Sequence, residues 1–216
     1  MKNKLTEIVF ILDRSGSMSG LEGDTIGGYN AMVEKQKDAP GQALISTVLF
    51  DDNVEVLHDR LDIKGLAPIT DKEYYVRGTT ALLDAVGGAI HHIGNIHKYA
   101  RDEDRPENTV IVITTDGMEN ASYRYNYDSV KKMIERQKEK YGWEFIFLGA
   151  NIDALEVAGR FGIGADRASN YHADGLGTQL NYSVVGEAMF NLRQGNGIKA
   201  DWKDSIDKDY KGRKKR

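Results

Sequence analysis

Two short runs in the chain, residues 5–12 (LTEIVFIL) and 109–115 (TVIVITT), are almost continuously apolar and rich in β-branched residues. Such runs form strands buried on both faces, as in parallel sheets covered by helices on each side. Each leads straight into an acidic, glycine-containing loop, at Asp13 in the first and at Asp116 and Gly117 in the second. Further strand-like runs at 42–50, 143–148 and 168–171 alternate with helix-like segments at 24–38, 81–99, 128–140, 152–161 and 178–193. Asp51, Asp52 and Asn53 give a turn signal before residues 54–61, so 42–50 and 54–61 are expected as an antiparallel hairpin. The whole pattern predicts a doubly wound, three-layer, Rossmann-like α/β domain.

Composition narrows the chemistry. The chain has 216 residues, 29 basic and 33 acidic side chains, a net charge of -4 and no cysteine. Disulfides, thiol catalysis and cysteine-held metal centres are therefore excluded. The acidic balance argues against a general nucleic-acid binder. The first apolar run is too short to span a bilayer, contains Glu7 and lacks a small-residue cleavage region. A cytoplasmic protein without a membrane span is expected. Residues 1–210 read as one domain. Residues 211–216 (KGRKKR) read as a disordered basic tail, with weak contact to an anionic partner or nucleic acid as the alternative.

In open α/β sheets, ligands bind beyond the C-terminal ends of the strands, near a reversal of strand order. If the two apolar strands are neighbours, Asp13 and Asp116 arrive side by side at that edge. Two such carboxylates repel, and a divalent cation resolves the conflict. Asp13, Ser15 and Ser17 are spaced at i, i+2 and i+4. On a straight strand each two-residue step is about 6.6 Å, too far for one ion. Only a curled loop, permitted by Gly16 and Gly20, lets them converge. The donors are all oxygen, which favours Mg²⁺, with Mn²⁺ or Ca²⁺ as alternatives. A second loop, Gly78-Thr79-Thr80 before a helix, can add a hydroxyl.

The motifs DRSGSM (residues 13–18), RGTTALLDAV (77–86) and ITTDG (113–117) resemble, in order and spacing, the three metal loops of the von Willebrand factor type A domain. The resemblance covers roughly residues 5–195. It implies a mostly parallel six-stranded sheet with one antiparallel edge strand. It also implies a metal-ion-dependent adhesion site formed by Asp13, Ser15, Ser17, Thr80 and Asp116, with Thr79 as the alternative to Thr80. The family mode of action is protein binding, in which the ion accepts an Asp or Glu side chain of a partner. The setting implied is a small intracellular domain of bacterial or phage type. A chaperone-like ATPase or a stress-response complex would then be the partner.

Around this site, Met18, Tyr75, Glu119, Tyr123 and Tyr125 are candidates for a partner-facing rim, since tyrosine is favoured at interfaces. The five histidines have no metal-pair spacing and read as structural. Two other functions remain open. One is a metal-dependent phosphate-ester hydrolase, opposed by the lack of an evident base or nucleophile beside the metal loops. A phosphoryl-accepting Asp13 would want an aspartate two positions later, where Ser15 stands. The other is a scaffold with a non-functional metal site.

Overall fold

A computed structural model describes residues 5–213. The elements run β1 (Leu5–Asp13), α1 (Glu22–Lys37), β2 (Gln42–Phe50), β3 (Val54–Asp62), α2 (Leu82–Tyr99) and β4 (Asn108–Thr115). They continue with α3 (Tyr127–Tyr141), β5 (Glu144–Gly149), α4 (Ala154–Arg160), β6 (Ala168–Asn170), α5 (Gly175–Arg193) and α6 (Asp204–Arg213). The six strands form one sheet in the order β3-β2-β1-β4-β5-β6. All neighbours are parallel except β2 and β3, so the expected hairpin supplies the antiparallel edge. Among the described residues no helix is long and apolar enough to cross a membrane.

Strand β1 lies in the middle and all nine of its residues are buried. Side chains alternate across a strand, so it serves two cores. Ile8, Phe10 and Leu12 join the core under α1 and α5, while Val9 and Ile11 join the core under α2 and α3. Its register pairs Leu12 with Leu49 on one side and with Thr114 on the other. That register brings Asp13 and Thr115 to the same edge of the sheet. The order reverses direction on either side of β1, which makes this edge the ligand-binding end of the architecture.

Helices α1 and α5 pack closely because small residues stand at their contact. A methyl group added at Gly28 would lie 2.4 Å from the Tyr182 ring, and one at Gly186 would lie 3.2 Å from Met32. Gln36 donates to the Gly186 carbonyl at 2.7 Å. Arg193 on α5 donates to the carbonyls of Ala39 and Gly41 just past the end of α1. It also donates to the Gln36 carbonyl in the last turn of α1, where the helix leaves carbonyls without helical partners.

The structure departs from expectation at the C-terminal end. Residues 204–213 form α6, in a charged stretch whose buried anchors are only Ile206 and the preceding Trp202. Trp202 donates its indole N–H to the Asp166 carbonyl at 2.8 Å, and Ser169 of β6 donates to Asp207 of α6 at 2.7 Å. Lys211, Gly212 and Arg213 were assigned to the basic tail but form the last turn of α6, where Arg213 pairs with Asp174 and Asp209. Residues 214–216 of the expected tail lie outside the described residues. Helix α5 also starts earlier than expected, at Gly175, because Asp174 caps it through the Gly177 amide at 2.8 Å.

The contact between α1 and α5 gives a paired prediction. Gly28→Ala should destabilise the protein by about 1–3 kcal/mol through overpacking against Tyr182. Gly27→Ala, one residue earlier with open space at its Cα, should stabilise it by about 1 kcal/mol through helix propensity. Urea unfolding of the two variants measures both signs, and equal shifts would contradict the close approach.

Candidate metal centre

Asp13 ends β1, and the chain then curls through a short 3₁₀ turn at Gly16–Met18. The curl returns the Ser15 amide to Asp13 Oδ1 at 2.7 Å and sets the Ser15 and Ser17 hydroxyls 2.9 Å apart. Ser17 donates to Asp116 Oδ1 at 2.5 Å, which joins the first loop to the third. Thr115, the last residue of β4, donates its hydroxyl to Asp13 Oδ2 at 2.6 Å. A methyl group built on Gly117 would be 3.0 Å from both Ser17 Oγ and Thr80 Oγ1. Those two hydroxyls therefore flank Gly117, and any larger residue there would crowd them. Thr80 is buried while Thr79 is exposed, so the structure brings Thr80 to the cup and leaves Thr79 outside. The five sequence-assigned residues converge at one place.

The cup is electrostatically frustrated. Burial pushes the Asp13 carboxyl above its ordinary range, despite hydrogen bonds from Ser15 and Thr115. Burial likewise raises Asp116, and the nearby Asp13 charge adds to it against the hydrogen bond from Ser17. Asp116 Oδ2 is buried and has no hydrogen-bond partner. A buried acceptor without a donor is costly. Among the described residues no three His, Cys, Asp or Glu side chains group as a metal site would need. The donor set is instead two carboxylates with three hydroxyls, an all-oxygen set suited to a hard cation. An unpartnered carboxylate oxygen beside Ser17 and Thr80, in a pocket with two raised acids, fits a positive charge placed there.

The loops are also held by groups other than the five cup residues. Tyr74 is fully buried and donates to the Asp13 carbonyl at 2.5 Å. Asn120 accepts from the Thr80 amide at 2.9 Å, and the Asn120 and Ala121 amides donate back to the Thr80 carbonyl. Asp84 on α2 accepts from the amides of Tyr123, Arg124 and Tyr125. These carboxylates and amides were invisible to motif reading, since the groups they bind lie in backbone some forty residues away.

The rim residues divide. Tyr123 is 78% exposed and Tyr75 is 42% exposed, so both face outward. The Tyr75 ring lies near two guanidinium groups, 5.4 Å from that of Arg14 and 5.3 Å from that of Arg77. Met18 is only 3% exposed and packs inward. Tyr125 is half-buried against Gly87 of α2. Glu119 turns toward its own chain, accepting from the amides of Leu83, Ala121 and Ser122 and from the Ser122 hydroxyl. Met118, which the sequence reading passed over, is 67% exposed directly after the third loop.

No protein-family model and no curated protein sequence matches the chain. Solved structures do. The D319A mutant of the PilB minor pilin from Streptococcus sanguinis superposes with a TM-score of 0.61 at 13% identity, over 89% of this chain and 63% of that one. Proximal thread matrix protein 1 from the mussel byssus, solved with a zinc-occupied metal-ion-dependent adhesion site motif, gives 0.58 at 13% identity, over 86% and 46%. The chain has the von Willebrand factor type A fold. A von Willebrand factor type A structure from Catenulispora acidiphila gives 0.56 at 12% identity, over 86% of this chain and 42% of that one. The chain therefore spans only 63%, 46% and 42% of the lengths of these three structures. The mostly parallel sheet with its antiparallel β3 edge is the arrangement that the sequence motifs implied.

The raised acids yield a pH-dependent prediction. Asp13 and Asp116 hold protons more tightly in the folded chain than in the unfolded one. Their contribution to stability is complete at low pH and is lost as pH rises through the raised folded values. Asp116→Asn removes one of the two charges. In EDTA at pH 7 it should unfold at a higher urea concentration than wild type, and the gap should narrow as pH falls toward ~4. A variant less stable than wild type at pH 7 would show that the two charges do not oppose each other.

Proposed function

We propose that the chain is a divalent-metal-dependent protein-binding module. Asp13, Ser15, Ser17, Thr80 and Asp116 would hold a Mg²⁺ ion, with Mn²⁺ or Ca²⁺ as substitutes. The bound ion supplies an electrophilic position that an acidic side chain of a partner protein can occupy. The observation that carries this reading is the buried, unpartnered Asp116 Oδ2 beside Ser17 and Thr80. The zinc-occupied adhesion site of the mussel byssus protein supports metal occupancy in this fold. The absence of nitrogen or sulfur donors in the cup favours a harder ion here.

The chain's own residues suit binding better than turnover. All five histidines are engaged elsewhere: His58 with Thr47, His91 with Asn95, His92 with Asp59, His97 with Glu7 and His172 with Tyr210. Three of the four cup carboxylate oxygens are tied to Thr115, Ser15 and Ser17. The arch that follows the third loop is fixed by Asp84 and Glu119, yet it leaves Met118 and Tyr123 exposed beside the cup. Holding such side chains in place before contact lowers the ordering cost of binding.

Titration calorimetry with MgCl₂ and MnCl₂ on wild type, Asp13→Ala and Asp116→Ala tests the metal. Wild type should bind and each variant should weaken binding at least about tenfold, by analogy with the loss of supporting groups at metal sites. An ion at one hundred times its Kd should also stabilise wild type by about 2.7 kcal/mol. Affinity capture from the native host, with EDTA and then with Mg²⁺ restored, tests the partner. Equal metal affinity in wild type and Asp13→Ala would overturn the proposal.

A further inference from the structure

The sharp turn between β2 and β3 lies outside all three metal motifs, yet both of the first two loops are fastened to it. Asp51 in that turn is fully buried. Its Oδ2 accepts Arg14 Nε at 2.8 Å and Arg77 Nε at 2.7 Å, while its Oδ1 accepts the Asn53 amide at 2.7 Å. Arg14 directly follows Asp13, and Arg77 stands three residues before Thr80. Backbone contacts run in parallel with these side chains. The Arg14 amide donates to the Phe50 carbonyl at 2.8 Å, and the Ala81 amide donates to the Asp51 carbonyl at 2.7 Å. The two loops are also joined directly, by Arg77 N–H to the Arg14 carbonyl at 2.9 Å and Gly16 N–H to the Gly78 carbonyl at 3.1 Å. Gly78 has a φ of +66° and passes so close to the turn that a methyl group there would lie 2.0 Å from Asp52 Oδ1. The Tyr75 ring lies against both guanidinium groups.

From this geometry we infer that Asp51 is a positioning residue for the metal cup. It sets the spacing between the Asp13–Ser17 curl and the Thr80 hydroxyl by clamping Arg14 and Arg77 onto one carboxylate oxygen. It also neutralises Arg77 and shares the charge of Arg14 with Glu55, next to a cation site. Glu55 pairs with Arg14 at 2.8 Å but is half-exposed and does not reach Arg77 within the ion pairs of the structure, so it does not substitute for Asp51. The inference rests on the metal reading above and adds a control point to it. Partners of this kind around a metal site change affinity without touching the ion.

The experiment is a double-mutant cycle on the full chain, with MnCl₂ as the probe. Asp51→Asn and Arg77→Met should each raise the Mn²⁺ Kd by about tenfold. The double variant should bind about as weakly as the worse single variant, because both substitutions cut the same link. Trp143→Phe, which leaves a cavity in the core at the start of β5, at the opposite edge of the sheet from the cup, should leave the Kd unchanged and so separates positioning from simple loss of stability. A second readout needs no metal: hydrogen exchange at the Gly16 amide should speed up in Asp51→Asn and in Arg77→Met, but not in Trp143→Phe. If Asp51→Asn does not fold, Arg77→Met carries both measurements, since that side chain is 45% exposed. An unchanged Kd in the single variants, additive effects in the double variant, or unaltered Gly16 exchange would overturn the inference. Wild type that binds no Mn²⁺ would overturn the metal reading instead, and Gly16 exchange would then decide the role of Asp51 alone.

Discussion

The structure is organised around the enforced proximity of two buried carboxylates. Asp13 and Asp116 come from neighbouring parallel strands, and the register of β1 on β4 leaves them no way to separate. The fold spends much of its local hydrogen bonding on them. Thr115, the Ser15 amide and the Ser17 hydroxyl each take one oxygen, and the fourth oxygen is left buried and bare. A pair of this kind is unfavourable by itself, since desolvation and mutual repulsion both oppose charging. It persists because the surrounding sheet, with a central strand buried along its whole length, is rigid enough to impose it.

The same economy is visible in the loops. Three carboxylates outside the cup, Asp51, Asp84 and Glu119, are used on amides and guanidinium groups of the chain itself. Asp51 is held below the ordinary carboxylate range. Burial pushes it up, but hydrogen bonds from Arg77, the Asn53 amide and Arg14, with the Arg14 charge, outweigh that push. The contrast with Asp13 and Asp116 is informative. Asp51, with two guanidinium groups on it, is lowered, while Asp13 and Asp116, served by hydroxyls and an amide but by no cation, are raised chiefly by burial. Neither burial nor an unfilled oxygen alone marks the cup, since Glu7 is buried with Oε1 unpartnered but has Arg60 on its other oxygen. The cup is marked by two buried acids that meet with no cation beside them.

Much of the fold was legible in the sequence because the strands carry strong, short-range signals. Residues 5–12 and 109–115 could hardly be anything but buried strands, and the Asp51-Asp52-Asn53 turn announced the hairpin. The five cup residues, Thr80 ahead of Thr79 among them, were read from motif spacing, and the structure brings those five together. The failures share one cause, which is that orientation depends on contacts distant in sequence. Met18 lies within the motif but turns into the core. Glu119 has the composition of a binding residue, yet it faces the first turn of α2. Helix α6 has too few apolar positions to show a helical period, and its attachment comes from polar bonds to β6 and to the loop before it.

The two borders of the sheet are treated in opposite ways. At β6, a strand of three residues, α6 lies alongside and Ser169 is bound to Asp207. At β3, nine residues run uncovered, with Val54, Val56 and Leu61 in contact with solvent. Irregular pairing with β2 between Ile45 and Val48, together with the positive φ of Arg60, bends this margin out of plane. Such kinks, with the charges of Glu55, Asp59 and Asp62, frustrate stacking against a flat foreign strand. A three-residue border with α6 attached to it, and a longer border with broken register and charged side chains, each work against main-chain pairing with a foreign strand.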